Sequence, residues 1–446
     1  MPMTSRERLP FVTPEQVREE VLRCSDALGE SGGYLCGPDH HLKPDVPAAN
    51  AIALFETATA YRRAGYTAAV PSIGSARPAA GDTCPMSLVH KPDWEETKQR
   101  YLGWWDHEYF GRCALAVTAP LDHPPDVLEP PAARTPAEQW YDLDLISARN
   151  RYHLSRTFFG GEALPIWSGG YPGHTAIPNF LGCPLSLDMT TGWWDPVLRD
   201  ENSLDYRSLR IDESHPDYEF NFRMLRRAAQ ESAGRCLPSI GAFGGCGDTL
   251  AAVRGTTRLL LDCVERPEEV GAAELYLMAM WCDFYDRCYA TIHEAAQGST
   301  CWFPLWSPGR FYAAQNDFSY NISPRMFEEI FIPALEQQTR FLDHCVYHVD
   351  GVNAFVHVGA LCELSRLQAL QILPGAGKPS PLHYLDVLRQ VQWAGKNLHI
   401  GLDPVEVEPA LSVLSARGLF ISTWCATESE ARELLRSVGK WSVDRG

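Results

Sequence analysis

The sequence predicts an α/β protein, a (β/α)8 TIM barrel carrying an amino-terminal α-β-α segment. Three observations predict it. From about residue 110 onward, short apolar runs alternate with longer stretches of helical periodicity. The runs are near-continuous rather than alternating, as a parallel sheet covered on both faces requires. There are eight of them, at 114–118, 164–168, 237–243, 300–306, 346–350, 370–374, 398–403 and 419–424, which fits a closed barrel better than an open sheet.

The intervening helices carry start signals. Ser323-Pro324 offers an N-cap with proline at the first helical position, ahead of Met326, Phe327, Ile330, Phe331, Ala334 and Leu335 at helical spacing. Thr427 with Glu430 forms a capping box before Ala431, Leu434 and Leu435. Residues 354–367 read as a helix with one apolar stripe, and the proline- and acid-rich stretch 124–136 as an irregular surface connection. Residues 1–87 stand apart from the barrel segment 88–446. Thr13-Pro14-Glu15-Gln16 opens a helix, Tyr34-Leu35-Cys36 reads as a short strand, 48–63 as a second helix and 71–81 as a Gly/Ala/Ser/Pro linker. Since 88–446 already supplies eight strands, this piece is expected as an accessory docked outside the barrel wall.

The formal charge of −17 argues against a nucleic-acid surface, which needs clustered Lys and Arg, and matches an anionic membrane face poorly. The fourteen cysteines are scattered, with no CxxC pair, and residues 1–14 lack the apolar core of a signal peptide. A reducing, cytoplasmic setting with free thiols is expected.

The chemistry gathers at strand ends. His348 and Asp350 stand two apart at the end of an apolar run, so on a strand they share a face. Cys425 ends another such run, and in a closed barrel all three reach the C-terminal mouth, where these barrels carry their chemistry. Asp248 follows the glycine-rich turn 241–247, is read first as an N-cap, and faces the pocket as a polar substrate contact. Trp302, Trp306, Arg310 and Asp317 cluster around the fourth expected strand and the loop after it. There Trp302 reads as packing and Trp306 as a wall of the pocket, with Arg310 as a substrate contact. Asp317 is either a general base or an N-cap. His174 follows the second expected strand, in a loop that reaches a substrate or simply meets solvent.

Taken together, these places resemble the family of uroporphyrinogen decarboxylase and the corrinoid-dependent methyltransferases over about 88–446. The resemblance rests on Asp93-Trp94 to Trp105 before the first strand, on Gly401-Leu402-Asp403-Pro404 after the seventh, and on the strand ends carrying His348, Asp350 and Cys425. Gly32–His41 with Lys43–Pro47 and Asn50 is similar to the family's terminal βα unit. In the methyltransferase branch a His-x-Cys pair and a later Cys bind zinc. The resemblance therefore implies zinc on His348, Asp350 and Cys425, with aspartate where the family has its middle cysteine. Zinc accepts all three ligand types, but an oxygen ligand hardens the metal and matches a soft thiolate substrate less well. The implied activity is transfer of a methyl group from a small O-, N- or S-methylated substrate to a corrinoid on a separate partner protein. Asp317 and Asp350 would act in catalysis, Trp306, Arg310, Asp248 and His174 would contact the substrate, and a homodimer is possible. Porphyrinogen decarboxylation is the alternative, with Arg310 and Arg254 as thin cover for a many-carboxylate substrate. A carbohydrate-active or carbohydrate-binding barrel using the thirteen tryptophans is a third.

Overall fold

A computed structural model describes residues 12–28, 47, 49–50, 53–54, 57 and 87–445 of the 446-residue chain. Among these residues the apolar runs become strands, bounded by glycine, proline and polar turns. In chain order they are β1 (Ala114–Pro120), β2 (Thr157–Gly161), β3 (Ile166–Trp167), β4 (Leu185–Leu187), β5 (Gly192–Trp194), β6 (Leu237–Pro238) and β7 (Ser299–Thr300). β8 (Trp306–Ser307), β9 (Phe311–Gln315), β10 (His344–Asp350), β11 (Ala369–Leu373), β12 (Asn397–Gly401) and β13 (Leu419–Trp424) complete the set.

Seven of them form one sheet in the order β2-β1-β13-β12-β11-β10-β9. Every neighbouring pair in it is parallel except β1 with β2. β3 and β6 form a separate parallel pair, and a parallel bridge from Ile240 to Cys301 leads from β6 toward the residues after β7. Among the described residues no continuous ladder joins these pieces to the large sheet. The architecture is therefore a large, mostly parallel sheet clothed in helices, and the expected closure by eight full strands is not seen.

Five expected strands are present within a residue or two, as β1, β10, β11, β12 and β13. The runs at 164–168 and 237–243 shrink to two residues each. Pro165 and Pro238 supply no N–H to a ladder, which limits pairing there. The run at 300–306 does not extend either, because it folds back as the antiparallel hairpin β7–β8 around Pro304. The strand beside β10 is instead β9, part of what reads from sequence as the loop after the fourth strand.

The helix signals act as their chemistry predicts. Thr13 and Gln16 cap reciprocally at the start of Pro14–Leu28, where Val17 and Val21 are buried. The Ser323 hydroxyl accepts from the Met326 amide at 3.2 Å, and Thr427 accepts from Glu430 at 3.2 Å. The helix after Ser323 passes through a π turn at Phe327–Phe331 just before Pro333, whose missing N–H interrupts the regular ladder. The expected strand 34–36 and the linker 71–81 lie outside the described residues. Among the described residues no helix is long and apolar enough to cross a membrane.

The N-terminal edge of the sheet is sealed by the helix Trp94–Trp105. It buries Trp94, Tyr101, Trp104 and Trp105, and its aromatic rings meet Trp306, Phe311, His344 and Phe420. Its polar anchor is Glu162, fully buried just after β2. The Glu162 carboxylate takes Arg112 at 2.8 Å, Arg100, and the Leu115 amide of β1 at 2.6 Å. These partners outweigh the burial that opposes ionisation and hold its pKa below the usual carboxylate value.

A buried charge deprived of its match is costly, so Glu162→Gln should lower stability by about 3–5 kcal/mol in urea unfolding at neutral pH. Because the folded pKa is depressed, the wild-type contribution is present above the unfolded value of about 4.3 and fades as pH falls below it. The variant should lose less on acidification than the wild type.

Candidate metal centre

The register of the sheet builds the site. His348 of β10 is the partner of Gln315 in β9 on one side and of Gln371 in β11 on the other. Two residues further on, Asp350 stands on the same face as His348. Asp317, two residues past Gln315, leaves β9 at the matching height. Ligand atoms of Asp317, His348 and Asp350 all lie within 4.8 Å of one another. The imidazole Nε2 is 3.9 Å from Asp350 Oδ2.

Neighbouring groups orient each member. His348 Nδ1 makes a close hydrogen bond to Gln371 Oε1. With that carbonyl oxygen accepting, Nδ1 carries the proton and Nε2 keeps its lone pair toward Asp350, the tautomer a metal ligand needs. Asp317 opens a turn, Asp317–Asn321, whose cap is Asn316, accepting from Ser319 N at 3.0 Å. Gly351 turns the chain after Asp350 at φ +86°, and an added Cβ would lie 2.7 Å from the Tyr320 ring. That position therefore demands glycine.

Behind this cluster the acids continue inward. Asp248 accepts from Gln315 Nε2 at 2.9 Å and from the Phe318 amide at 3.1 Å, tying the Asp317 turn to the end of β9. Glu274, buried on the long helix Pro267–Ala296, accepts from the Gly247 amide at 2.9 Å. Asp317 is exposed to solvent on one side and crowded by protein on the other. Burial and then Asp350 push its carboxyl up to about 6. Burial and then Asp317 push Asp248 up to about 7. Burial likewise raises Glu274 to about 7, with Asp248 adding to it. Three acids thus resist ionisation together, an arrangement that a bound cation would relieve.

The structure brings Asp317, His348, Asp350 and Asp248 together, and places the other expected site residues elsewhere. Cys425 is buried at the end of β13, its amide bonded to Thr118 O at 2.9 Å, and it is not part of the cluster. Trp306 lies at the opposite end of the sheet, buried against Trp94 and Tyr101, because the 300–306 run turns back in a hairpin. Trp302, expected only to pack, stands where Trp306 was expected, edge-on to His348 with ring centroids 5.4 Å apart. Arg310 precedes β9 at that strand's other end, paired with Asp286 at 2.8 Å and lying over Tyr289 and Phe341. His174 is wholly buried between Tyr141 and Phe220, and burial lowers its pKa to about 4, so it packs as a neutral ring. Arg254 is buried against Asp262 at 2.6 Å.

Sequence reading also missed Gln371 and His399. Gln371, His399 and Gln315 all become legible once His348 is given its register, since each is the aligned residue of the next strand. A groove of about 740 Å³ opens along the same C-terminal edge, lined among others by His383, Asp403, Glu406, Ser422, Thr423 and Trp424.

No family model matches the chain, and no curated protein matches it in sequence. Among solved structures, a methyltransferase from Methanosarcina mazei superposes with a TM-score of 0.50 at 11% identity, over 77% of this chain and 98% of that one. The fold is methyltransferase-like. At that identity the likeness speaks for the fold alone, and it does not single out the uroporphyrinogen decarboxylase superfamily.

If the three clustered groups are ligands, His348→Ala and Asp350→Ala should each weaken Zn²⁺ or Co²⁺ binding by more than about 100-fold, beyond what loss of an outer partner does. Cys425→Ser should leave it within about twofold, read by calorimetric titration of chelator-treated protein. Glu274 supplies an independent check by pH. Its folded pKa of about 7 lies above the unfolded value of about 4.3, so stability present at low pH drains away as pH rises through that window. Glu274→Gln should flatten this slope and gain on the order of 1–3 kcal/mol at pH 8 in urea unfolding.

Proposed function

We propose that this chain is a metal-assisted methyltransferase that moves a methyl group from a small methylated substrate to a corrinoid carried by a separate protein. The observation that carries the reading is the Asp317–His348–Asp350 cluster at the C-terminal edge of a mostly parallel sheet. Carboxylate and imidazole are ligand types that a divalent cation accepts, and zinc bonds such ligands at about 2.0–2.2 Å. The cation would supply Lewis acidity to the heteroatom that loses its methyl group. The carbon–heteroatom bond breaks, the methyl passes to the acceptor's nucleophile, and the heteroatom keeps the bonding pair. The chain's own groups do the rest. Gln371 holds the imidazole tautomer, and Asp248 holds the turn that presents Asp317.

The decarboxylase reading draws no comparable support. Arg254 and Arg310, its candidate carboxylate clamps, are both engaged in ion pairs away from the cluster. A stacking role for Trp306 in a carbohydrate site is likewise at odds with its burial.

Protein purified without chelators should carry about one divalent metal per chain by elemental analysis. It should methylate added reduced cobalamin from one or more members of a panel of methyl ethers, methylamines and methyl thioethers, followed by visible absorption. Chelation should abolish the transfer and added metal should restore it. Absence of bound metal, with turnover unaffected by chelator, would overturn the reading.

A further inference from the structure

The face of the sheet that carries His348 holds a polar row at one height. Gln315, His348, Gln371 and His399 are aligned partners across β9, β10, β11 and β12, so all four side chains project to the same side. Polar groups in a row within a sheet need partners. His348 and Gln371 satisfy each other, and Gln315 serves Asp248. His399 is 2% exposed, with Nε2 2.8 Å from Ser422 Oγ, and its Nδ1 has no partner. Burial keeps this ring neutral, so Nδ1 is an orphaned polar atom and not a charge.

Trp302 stands against the same row. Its ring meets His348 at 89° with centroids 5.4 Å apart, and its indole Nε1 is buried with no acceptor. That is unusual in this chain, where the indoles of Trp94, Trp104, Trp105, Trp140, Trp167, Trp281 and Trp306 all donate to an oxygen. Trp194 is also orphaned, but it belongs to the β4–β5 hairpin and not to this face. An indole N–H only donates, and sulfur accepts weakly. The ligands nearby are two carboxylates and an imidazole with no thiolate, a hard set that favours oxygen over sulfur on the metal.

We propose that the position beside His348 takes an oxygen-bearing substrate, an alcohol or phenol and its methyl ether, whose oxygen accepts a hydrogen bond from Trp302 Nε1. The inference rests on the metal-centre reading above and narrows its substrate to the oxygen class. Trp302 becomes the residue that recognises the reacting atom, and His399 a second polar contact further along the row.

The test compares phenol with thiophenol, matched in shape, on the full-length Co²⁺-loaded protein, with binding read from the cobalt visible spectrum. Trp302→Phe should weaken phenol about tenfold, the loss of one hydrogen bond, while Co²⁺ affinity and thiophenol binding stay unchanged. Equal phenol binding by wild type and variant, or equal losses for phenol and thiophenol, would overturn the proposal. Should the variant fail to fold, wild-type protein with ¹⁵N-labelled indoles decides. The Trp302 resonance is the one most broadened on Mn²⁺ loading, and phenol added to the Zn²⁺ form should shift it downfield; an unmoved resonance overturns the proposal. Failure of the protein to take up Co²⁺ at all would instead overturn the metal centre itself.

Discussion

The parallel register of β9, β10 and β11 is the constraint on which everything else at the site depends. It sets Gln315, His348 and Gln371 side by side, and from that one alignment the rest follows. Asp350 comes two residues later on the same face, and Asp317 leaves the neighbouring strand at the same height. A slip of one residue in β9 would turn Gln315 to the other face and carry Asp317 away from the imidazole. The register is held by apolar residues buried on both sides of these strands and by Asp248, which grips both Gln315 and the turn after it.

That arrangement concentrates acids where they are least comfortable. Asp350, Asp317, Asp248 and Glu274 run inward from the mouth, and burial together with mutual repulsion raises the last three. A fold selected only for stability would place apolar groups here. Raised acids gathered beside His348 are the feature that the proposed divalent cation would relieve. The opposite end of the sheet shows the contrast. There Glu162 is more deeply buried but fully matched by two arginines and an amide, so its ionisation is favoured and its role is to fasten the sealing helix to β1 and β2.

The two ends also divide the tryptophans. Those of the sealing helix, with Trp306, bury their rings and satisfy their N–H groups on the N-terminal side. Trp302, four residues before Trp306, stands instead beside His348, because the hairpin β7–β8 reverses the chain between them.

The sequence by itself determined the parallel α/β class, most of the long strands, the caps at Thr13, Ser323 and Thr427, and the pair His348–Asp350. Each of these is local, resting on the two-residue period of a strand or on a side chain reaching its own helix start. Asp317 was visible as a candidate only through its loop position, with a general base and a cap equally open. Tertiary structure decided the rest. Prolines cut two expected strands short, and the fold-back at Pro304 exchanged the roles of Trp302 and Trp306. Cys425 fell outside the cluster, and the acid that stands with His348 and Asp350 is Asp317, from the end of β9. Spacing along the chain cannot report such choices, since they depend on which strand lies beside β10, a matter of long-range pairing and burial.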